Sequence, residues 1–352
     1  EIMPSLVGSE MCIRDSILIA QVIPSGKLPK YSYIPELNEK IAEMVAGLNS
    51  GQVFLVNQAQ GFNWQDYTVH DKVHPNKAGA EKMATVWFEA LKKVLASSET
   101  VFSPEIVRYK TLEDGDSLAL HIFKPRNMQA GEKRPAIVYF FGGGWKLGTP
   151  IQFYRECAYY ASKGMVAVSV DYRIGYLHHS TPFESFEDAK DAICWLRSHA
   201  SDYQLDPDKI AVAGGSAGGH LAAALGTIGS DETVPAGYRP NLSVLYYPVI
   251  DMVSRGYGFP EIKRDFEKIS PIHHVSEATP STLILLGTKD PIVSVETIEA
   301  YQDKLLQKGV DCELHLFEGA GHPIFLYRKP LTEEYYKVRK LTDDFLKRQG
   351  FL

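Results

Sequence analysis

The chain has 352 residues, 45% of them hydrophobic and 23% charged, so it is long enough for one large or two ordinary domains with a buried core. Its formal net charge of −6, without a Lys/Arg-rich run, argues against nucleic acid or an anionic membrane as partner and favours a small neutral ligand. The four cysteines are far apart and no apolar run reaches the roughly 18 residues of a membrane span, so neither a disulfide framework, a zinc or other metal site, nor a transmembrane helix is predicted.

The N-terminal stretch LVGSEMCIRDS, from Leu6 to Ser16, resembles the translation of a transposase-end sequencing adapter. Residues 1–16 are therefore predicted to be an artefactual tail, and the biological protein is expected to begin upstream. In that case any targeting signal has been lost, so the compartment stays open, with secretion or export to the periplasm as one alternative. The other interpretation of these residues is a genuine irregular tail.

Regular pattern begins at Ile17. The apolar run ILIAQVI predicts a buried strand, and PELNEKIAEMVAGLN carries apolar residues at helical spacing. A second strand is predicted from Gln52 to Val56, and a helix from Lys77 to Leu95, shortly after Pro75. This alternation of strands and helices predicts a partial α/β segment over residues 17–97.

The loop before the last of these helices contains the sequence Asp71-Lys72-Val73-His74-Pro75-Asn76. It resembles the last sequence block of the SGNH (GDSL-like) hydrolases, whose Asp-x-x-His supplies the base and its orienting acid. Nothing upstream supplies that family's GDS nucleophile. The resemblance implies that residues 17–97 are the C-terminal fragment of an SGNH hydrolase, with Asp71 and His74 as a vestigial dyad. The alternative is a surface histidine in a polar loop.

The polar segment SSETVFSPE is predicted to be a linker into a second domain at residues 98–352. After it, IVRYKTL and SLALHIFKP alternate in the manner of antiparallel strands joined by the turn EDGD. From Pro135 onward, predicted helices alternate with the strands AIVYFF, MVAVSVDY, KIAVAGG, LSVLYYPVI, TLILLG and CELHLF. This order predicts the α/β class, with a mostly parallel sheet flanked by helices.

The strongest chemical signal is Gly214-Gly215-Ser216-Ala217-Gly218, which lies between the apolar strand IAVA and a helix. A serine on so sharp a strand-to-helix turn has its hydroxyl exposed, and the flanking glycines let the neighbouring elements pass closely. Ser216 is therefore predicted to be the nucleophile. The alternative is a structural glycine-rich turn.

A second signal is Phe141-Gly142-Gly143-Gly144-Trp145, directly after a predicted strand. It resembles the HGGG oxyanion motif of α/β hydrolases of the hormone-sensitive-lipase, acetyl-esterase and feruloyl-esterase (BD-FAE-like) groups. The resemblance implies that the backbone N–H groups of Gly143, Gly144 and Ala217 form the oxyanion hole. Phe141 stands where many relatives have histidine, which puts the anchoring of the loop in doubt. The glycine spacing does not match that of a phosphate-binding loop.

The acid and base are expected to follow the serine in the order Ser, Asp, His. Asp290 follows the strand TLILLG, and His322 follows CELHLF, so both come just after strand ends, where open α/β sheets place their sites. Both also match the GTxD and GxGH patterns of the family. Together with Ser216 they predict a catalytic triad and an α/β-hydrolase fold.

Other assignments stay open at this point. Asp251 also follows a predicted strand, which makes it an alternative acid. His220 lies one helical turn after Ser216 and is expected to pack in the core, and Asp171-Tyr172-Arg173 is expected to tie loops together. The pairs His178-His179 and His273-His274 either line the mouth of the site or are merely exposed.

The predicted function is a serine carboxylesterase that acts through an acyl-enzyme and needs no cofactor. The alternatives are a prolyl-oligopeptidase-like serine peptidase and a non-catalytic binding protein of the same lineage. The oligomeric state is not predicted.

The substrate is expected to be a small-molecule or carbohydrate ester, because the segment before the strand TLILLG is too polar for a deep apolar lid. Trp145, Tyr176, Tyr257 and Phe259 are candidate aromatic contacts for a bulky alcohol, and the alternative is that they only pack the loops. These features favour short acyl groups. The resemblance to acetyl and feruloyl esterases, together with the SGNH-like fragment, implies acyl groups of the kind found on plant polysaccharide.

Overall fold

By its internal contacts the chain divides into two units, Glu1–Val101 and Phe102–Leu352. The computed structural model describes residues 10–13, 16–48, 53–97, 104–126, 128–129, 131–229, 236–252, 265–325 and 332–352. Within these ranges no helix is both long and apolar enough to cross a membrane. The same ranges contain no group of three or more His, Cys, Asp or Glu side chains that could hold a metal ion.

The N-terminal unit is built on a three-stranded sheet in the order β1-β2-β3. Its elements are β1 (Glu10–Ile13), β2 (Ser16–Ala20), α1 (Ile34–Gly47), β3 (Val53–Val56), α2 (Trp64–Tyr67) and α3 (Lys77–Ser97). β1 is antiparallel and β3 parallel to β2. Leu18, Ala20 and Val56 are fully buried, and Trp87 and Leu91 of α3 pack against them. The predicted alternation of strands and helices is therefore present.

Strand β2 is shorter than the apolar run ILIAQVI, which predicted a strand as far as Ile23. It ends at Ala20 because the Asn38 side chain binds the backbone of Val22. Asn38 Oδ1 accepts from the Val22 N–H at 2.7 Å, and Asn38 Nδ2 donates to the Val22 carbonyl at 2.7 Å. Residues 10–13, part of the tail predicted to be artefactual, form β1, and the origin of that tail stays a prediction.

The C-terminal unit contains an eight-stranded sheet in the order β11-β10-β9-β8-β6-β7-β5-β4. Its strands are β4 (Glu105–Thr111), β5 (Ser117–Phe123), β6 (Arg134–Phe140), β7 (Val166–Val170), β8 (Leu205–Gly215), β9 (Leu242–Tyr246), β10 (Ser281–Gly287) and β11 (Cys312–Phe317). The β4–β5 and β5–β7 pairs are antiparallel and the other pairs are parallel. β7 and β9 are buried along their whole length, as is typical of parallel strands covered on both faces.

Helices flank this sheet, which confirms the predicted fold class. They are α4 (Tyr154–Ser162), α5 (Gly175–His178), α6 (Pro182–Ser198), α7 (Ala217–Thr227), α8 (Val295–Gln307) and α9 (Glu333–Arg348). Helix α6 begins at Pro182, where a capping box defines its first turn. In that box Thr181 Oγ1 accepts from the Phe183 N–H, and Glu184 Oε2 accepts from the Thr181 N–H.

The strand ends determine where functional side chains meet. β8, β10 and β11 end at Gly215, Gly287 and Phe317, and parallel strands end at the same edge of a sheet. β9 lies between β8 and β10 and ends at Tyr246, not at Ile250 as predicted, because the chain turns at Tyr247 with a φ of 39°. The loops after these four strands therefore converge on one edge.

Candidate active site

Ser216 lies at the turn from β8 into α7 in strained backbone geometry. Its φ is 55° and its ψ is −118°, outside the regions that side-chain-bearing residues ordinarily occupy. The Ser216 N–H donates to the Tyr246 carbonyl at 3.0 Å. A Cβ at Gly218 would lie 2.0 Å from the Phe140 carbonyl oxygen, so only glycine allows α7 to approach β6 this closely. The turn thus presents the serine side chain at the edge of the sheet.

Ser216, His322 and Asp290 form one chain of hydrogen bonds. Ser216 Oγ lies 2.8 Å from His322 Nε2, and His322 Nδ1 lies 2.7 Å from Asp290 Oδ2. The Asp290 carboxylate is fully buried, and its Oδ1 accepts from the backbone N–H groups of Ile292 at 2.8 Å and Val293 at 3.0 Å. The imidazole is therefore held between a fixed acceptor and the serine hydroxyl.

The glycine loop after β6 lies directly beside this serine. A Cβ at Gly142 would lie 3.5 Å from Ser216 Cβ. The Gly142 N–H donates to Gln152 Oε1 at 2.6 Å, which ties the loop to the segment that follows it. Gln152 was not among the predicted site residues, because it is ten positions away and only the path of the loop brings it here.

Three backbone N–H groups near the serine are available to a ligand. Gly143 has a φ of 144°, and a Cβ there would lie 1.9 Å from the Leu147 carbonyl oxygen, so a side chain would distort the loop. Within the described part of the chain, the N–H groups of Gly143, Gly144 and Ala217 donate no hydrogen bond. These are the N–H groups that the resemblance implied for an oxyanion hole.

Phe141 is anchored by Tyr172, the central residue of the Asp171-Tyr172-Arg173 motif. The two rings stack with centroids 4.1 Å apart, and Tyr172 Oη donates to the Phe141 carbonyl at 2.6 Å. Arg173 forms a bidentate pair with Asp188 on α6, with Nε–Oδ2 and Nη2–Oδ1 both at 2.8 Å. The motif therefore ties neighbouring segments together, through Tyr172 to Phe141 and through Arg173 to Asp188.

Trp145 is buried, and its role as a substrate contact stays a prediction. Its side chain is 1% exposed, and its ring packs edge-on against His220 with centroids 5.1 Å apart. The alternative, that this aromatic residue packs the loop, fits the structure. His220 is itself fully buried, as expected.

Tyr176 lies on the short helix α5, next to the same loop. The Tyr176 N–H donates to the Lys146 carbonyl at 3.0 Å, and its side chain is 74% exposed. A cavity of about 190 Å³ is lined by Lys146, Tyr176, Thr181 and neighbouring residues. The side chain of Tyr176 is thus accessible to a ligand beside the glycine loop that follows β6.

The rival residues lie elsewhere. Asp251 is 3.9 Å from His273, whereas His322 contacts Asp290. His274 Nε2 donates to the Glu267 carbonyl at 2.6 Å, and His178 Nδ1 accepts from the Ile174 N–H at 3.1 Å. His179 is exposed in a left-handed conformation with a φ of 51°. Tyr257 and Phe259 lie outside the described residues.

Tyr247 is a site residue that the sequence analysis missed. Its ring packs edge-on against His322 with centroids 4.8 Å apart, and a Cβ at Gly215 would lie 2.6 Å from its hydroxyl oxygen. The signal for it was its place directly after β9. The pattern did not show that β9 lies between the strands carrying the serine and the aspartate.

Asp71 and His74 form a separate pair in the N-terminal unit. Asp71 Oδ2 is hydrogen-bonded to His74 Nδ1, and Asp71 Oδ1 accepts from the backbone N–H groups of Val73 and His74. These bonds, that of the His74 side chain first, hold the pKa of the Asp71 carboxyl well below its usual range. The His74 side chain is 68% exposed.

Several known proteins similar to this chain are named esterases. A family model described as BD-FAE matches residues 120–264. The esterase LipC of Mycobacterium tuberculosis is 28% identical over 241 residues, which are 59% of this chain and 57% of LipC. The acetylxylan esterase of Xylanibacter ruminicola is 26% identical over 227 residues, which are 60% of this chain and 44% of that protein. The chain thus spans about half the length of these curated relatives.

The solved structure of the esterase Est2 of Thermogutta terrifontis with propionate bound matches with a TM-score of 0.66 and 35% identity. The match covers 72% of this chain and 97% of Est2. Matching structures of the same esterase have butyrate bound or are phosphorylated by paraoxon. Because this identity extends over nearly all of Est2, the chain belongs to the esterases of the α/β-hydrolase fold.

Proposed function

We propose that this chain hydrolyses carboxylic esters, with Ser216 as nucleophile, His322 as general base and Asp290 as the orienting acid. The observation that carries the proposal is the continuous hydrogen-bond chain from Ser216 Oγ through the imidazole to a buried carboxylate. A serine is a weak nucleophile unless an adjacent base accepts its proton, and this arrangement supplies the base.

The reaction proceeds by acyl transfer in two steps. His322 Nε2 accepts the Ser216 proton while Oγ attacks the ester carbonyl, and the resulting oxyanion accepts hydrogen bonds from the N–H groups of Gly143, Gly144 and Ala217. The imidazolium, stabilised by Asp290, gives its proton to the leaving alcohol oxygen as the C–O bond breaks. Water then attacks the acyl-enzyme by the same route, releasing the acid and restoring the serine. The steps need no metal or organic cofactor.

The substrate class we propose is short-chain acyl esters of small molecules or of plant polysaccharide. Two similarities support it: Est2 structures hold propionate and butyrate, and a relative is an acetylxylan esterase. The exposed ring of Tyr176 beside the oxyanion loop offers an aromatic face on which a sugar or other ring of the alcohol can stack.

For residues 17–97 we propose descent from an SGNH hydrolase, with Asp71 and His74 as the remains of its acid and base. The hydrogen bond between Asp71 Oδ2 and His74 Nδ1 supports this, since it is the contact an orienting acid makes with its base. No activity is assigned to this pair.

Organophosphate labelling tests the proposed function. Treating the full chain with paraoxon at neutral pH should add one diethyl phosphoryl group, located by mass spectrometry on the peptide that contains Ser216, and should abolish hydrolysis of p-nitrophenyl butyrate. The Ser216→Ala variant should fold, resist labelling and lose roughly 10⁴-fold or more in kcat. Labelling at another serine, or turnover by Ser216→Ala above about a tenth of wild type, would overturn the assignment. Comparison with the matched p-nitroanilide separates an esterase from a peptidase.

A further inference from the structure

His220 is a buried imidazole that the proposed reaction does not use. It lies in the first turn of α7, and its backbone N–H donates to the Ser216 carbonyl at 2.9 Å. Its side chain is completely buried, and both ring nitrogens have protein partners. A buried polar ring so close to the nucleophile calls for a physical reason.

The two partners determine the tautomer of this ring. Trp145 Nε1–H donates to His220 Nδ1 at 3.3 Å, and His220 Nε2 lies 2.6 Å from the Ile269 carbonyl oxygen. An indole nitrogen can only donate and a carbonyl can only accept, so Nδ1 is unprotonated and Nε2 carries the proton. Burial lowers the pKa of His220 to about 4, in agreement with a neutral ring at neutral pH.

Trp145 connects this ring to the oxyanion loop. It follows Gly144 directly, has a φ of 58°, and its carbonyl accepts from the Gly175 N–H at 2.8 Å. The Gly175 N–H thus fixes the Trp145 backbone, and the His220 ring fixes its indole, directly after the three glycines. Because glycine backbones have wide conformational freedom, the loop needs such fixed points on both sides. Gln152 provides the one before it, at Gly142.

We propose that His220 is a positioning residue, which orients the Gly143 and Gly144 N–H groups for the oxyanion by linking the Trp145 indole to the Ile269 carbonyl. The proposal rests on the proposed esterase function. Oxyanion donors bind charge that develops only in the transition state, so a displaced loop lowers kcat and leaves KM nearly unchanged. A purely structural role would lower stability without changing turnover per folded active site.

The test compares His220→Phe, Trp145→Phe, the double variant and His220→Gln in the full chain. Phenylalanine fills either space without the hydrogen bond, whereas glutamine can accept from Trp145 and donate to Ile269. We measure kcat and KM on p-nitrophenyl butyrate, with active sites counted by paraoxon burst titration. Each Phe variant should lose about 10- to 100-fold in kcat, with KM within about twofold of wild type, because loss of a whole oxyanion donor costs roughly 10²- to 10³-fold.

Two further results complete the test. The kcat of the double variant should lie within about twofold of the kcat of the slower single variant, because both changes break the same contact. His220→Gln should recover kcat to within about fivefold of wild type, as a residue that acts through its hydrogen bonds must. Trp145→Phe is the variant expected to fold most reliably, and a wild-type kcat per titrated site in it would overturn the proposal. A kcat for His220→Gln as low as that for His220→Phe would also overturn it. A wild-type chain that neither hydrolyses the ester nor reacts with paraoxon would instead overturn the proposed function.

Discussion

The Tyr172 hydroxyl donates to the carbonyl of Phe141 at 2.6 Å while the two rings stack with centroids 4.1 Å apart. Phe141 begins the glycine loop, at the position of the histidine in the HGGG motif that this loop resembles. The stack and the hydrogen bond together provide the anchoring that the substitution of histidine put in doubt. Both residues are completely buried, so their contact is isolated from solvent.

Removing this hydroxyl should destabilise the C-terminal unit. Tyr172→Phe leaves the buried Phe141 carbonyl without its donor, and such a loss costs about 1–3 kcal/mol. We expect a lower Tm in calorimetry, with the stacked rings retained. Tyr336→Phe is the control, because the Tyr336 side chain is half exposed and its hydroxyl can bind water. Equal Tm values for the two variants would contradict the anchoring role.

Replacement of the acid should identify it. Asp290→Asn should lower kcat by roughly 10³- to 10⁴-fold, because an amide stabilises the wrong imidazole tautomer. Asp251→Asn should change kcat by less than about threefold, since Asp251 lies near His273 and His322 contacts Asp290. Steady-state kinetics on p-nitrophenyl butyrate measures both. The opposite ranking would identify Asp251 as the acid.

The Asp71–His74 pair should have no part in ester hydrolysis. Among the described residues of its unit, His74 has no hydrogen bond to a serine hydroxyl. His74→Ala in the full chain should therefore leave kcat/KM within about twofold of wild type, whereas His322→Ala should abolish turnover. A tenfold loss in the His74 variant, with unchanged Tm, would show that the pair contributes to the reaction.

The pH dependence of stability should carry a contribution from His220. Burial lowers its folded-state pKa to about 4, below the ordinary value of about 6.5, so the unfolded chain binds more protons between these two values. Titration of His220 therefore does not change the free energy of unfolding above about pH 6.5. As the pH falls toward 4 it lowers that free energy by up to about 3 kcal/mol. The Tm advantage of wild type over His220→Gln should shrink across that range. A Tm difference between wild type and His220→Gln that stays constant from pH 7 to 4 would contradict this prediction.

The three side chains that the structure brings together at the candidate site, Ser216, His322 and Asp290, could be picked out from the sequence because the pattern around each of them is local. A glycine-flanked serine between a strand and a helix, and an acid and a histidine directly after strands, carry their context with them. The side chains that hold the site were harder to predict. Gln152 and Tyr247 reach it through the path of a loop and through the place of β9 in the sheet, and neither is visible in the periodicity of the chain.

Element ends were predicted least well, for a related reason. Hydrophobic runs continue past the point where side chains or backbone geometry end an element. Asn38 ends β2 by binding the backbone of Val22, and the turn at Tyr247 ends β9 four residues before the apolar run does. The place of Trp145 beside the glycines gives no information on which way its ring points, so the sequence left both a substrate contact and a packing role open.

The last prediction concerns the acyl group. The substrates proposed above are esters of short-chain acids. We expect kcat/KM on p-nitrophenyl esters to be highest between acetate and butyrate and to fall at least about tenfold by octanoate, because acyl carbons that extend beyond a short acyl site stay in water and add no binding energy. We also expect acetylated xylan fragments to be deacetylated. The assay uses substrate concentrations at which the octanoate ester stays monomeric, with Ser216→Ala for the background rate. A maximum at octanoate or longer would indicate a lipase-like acyl site, and faster cleavage of a peptide amide than of the acetate ester would indicate a peptidase.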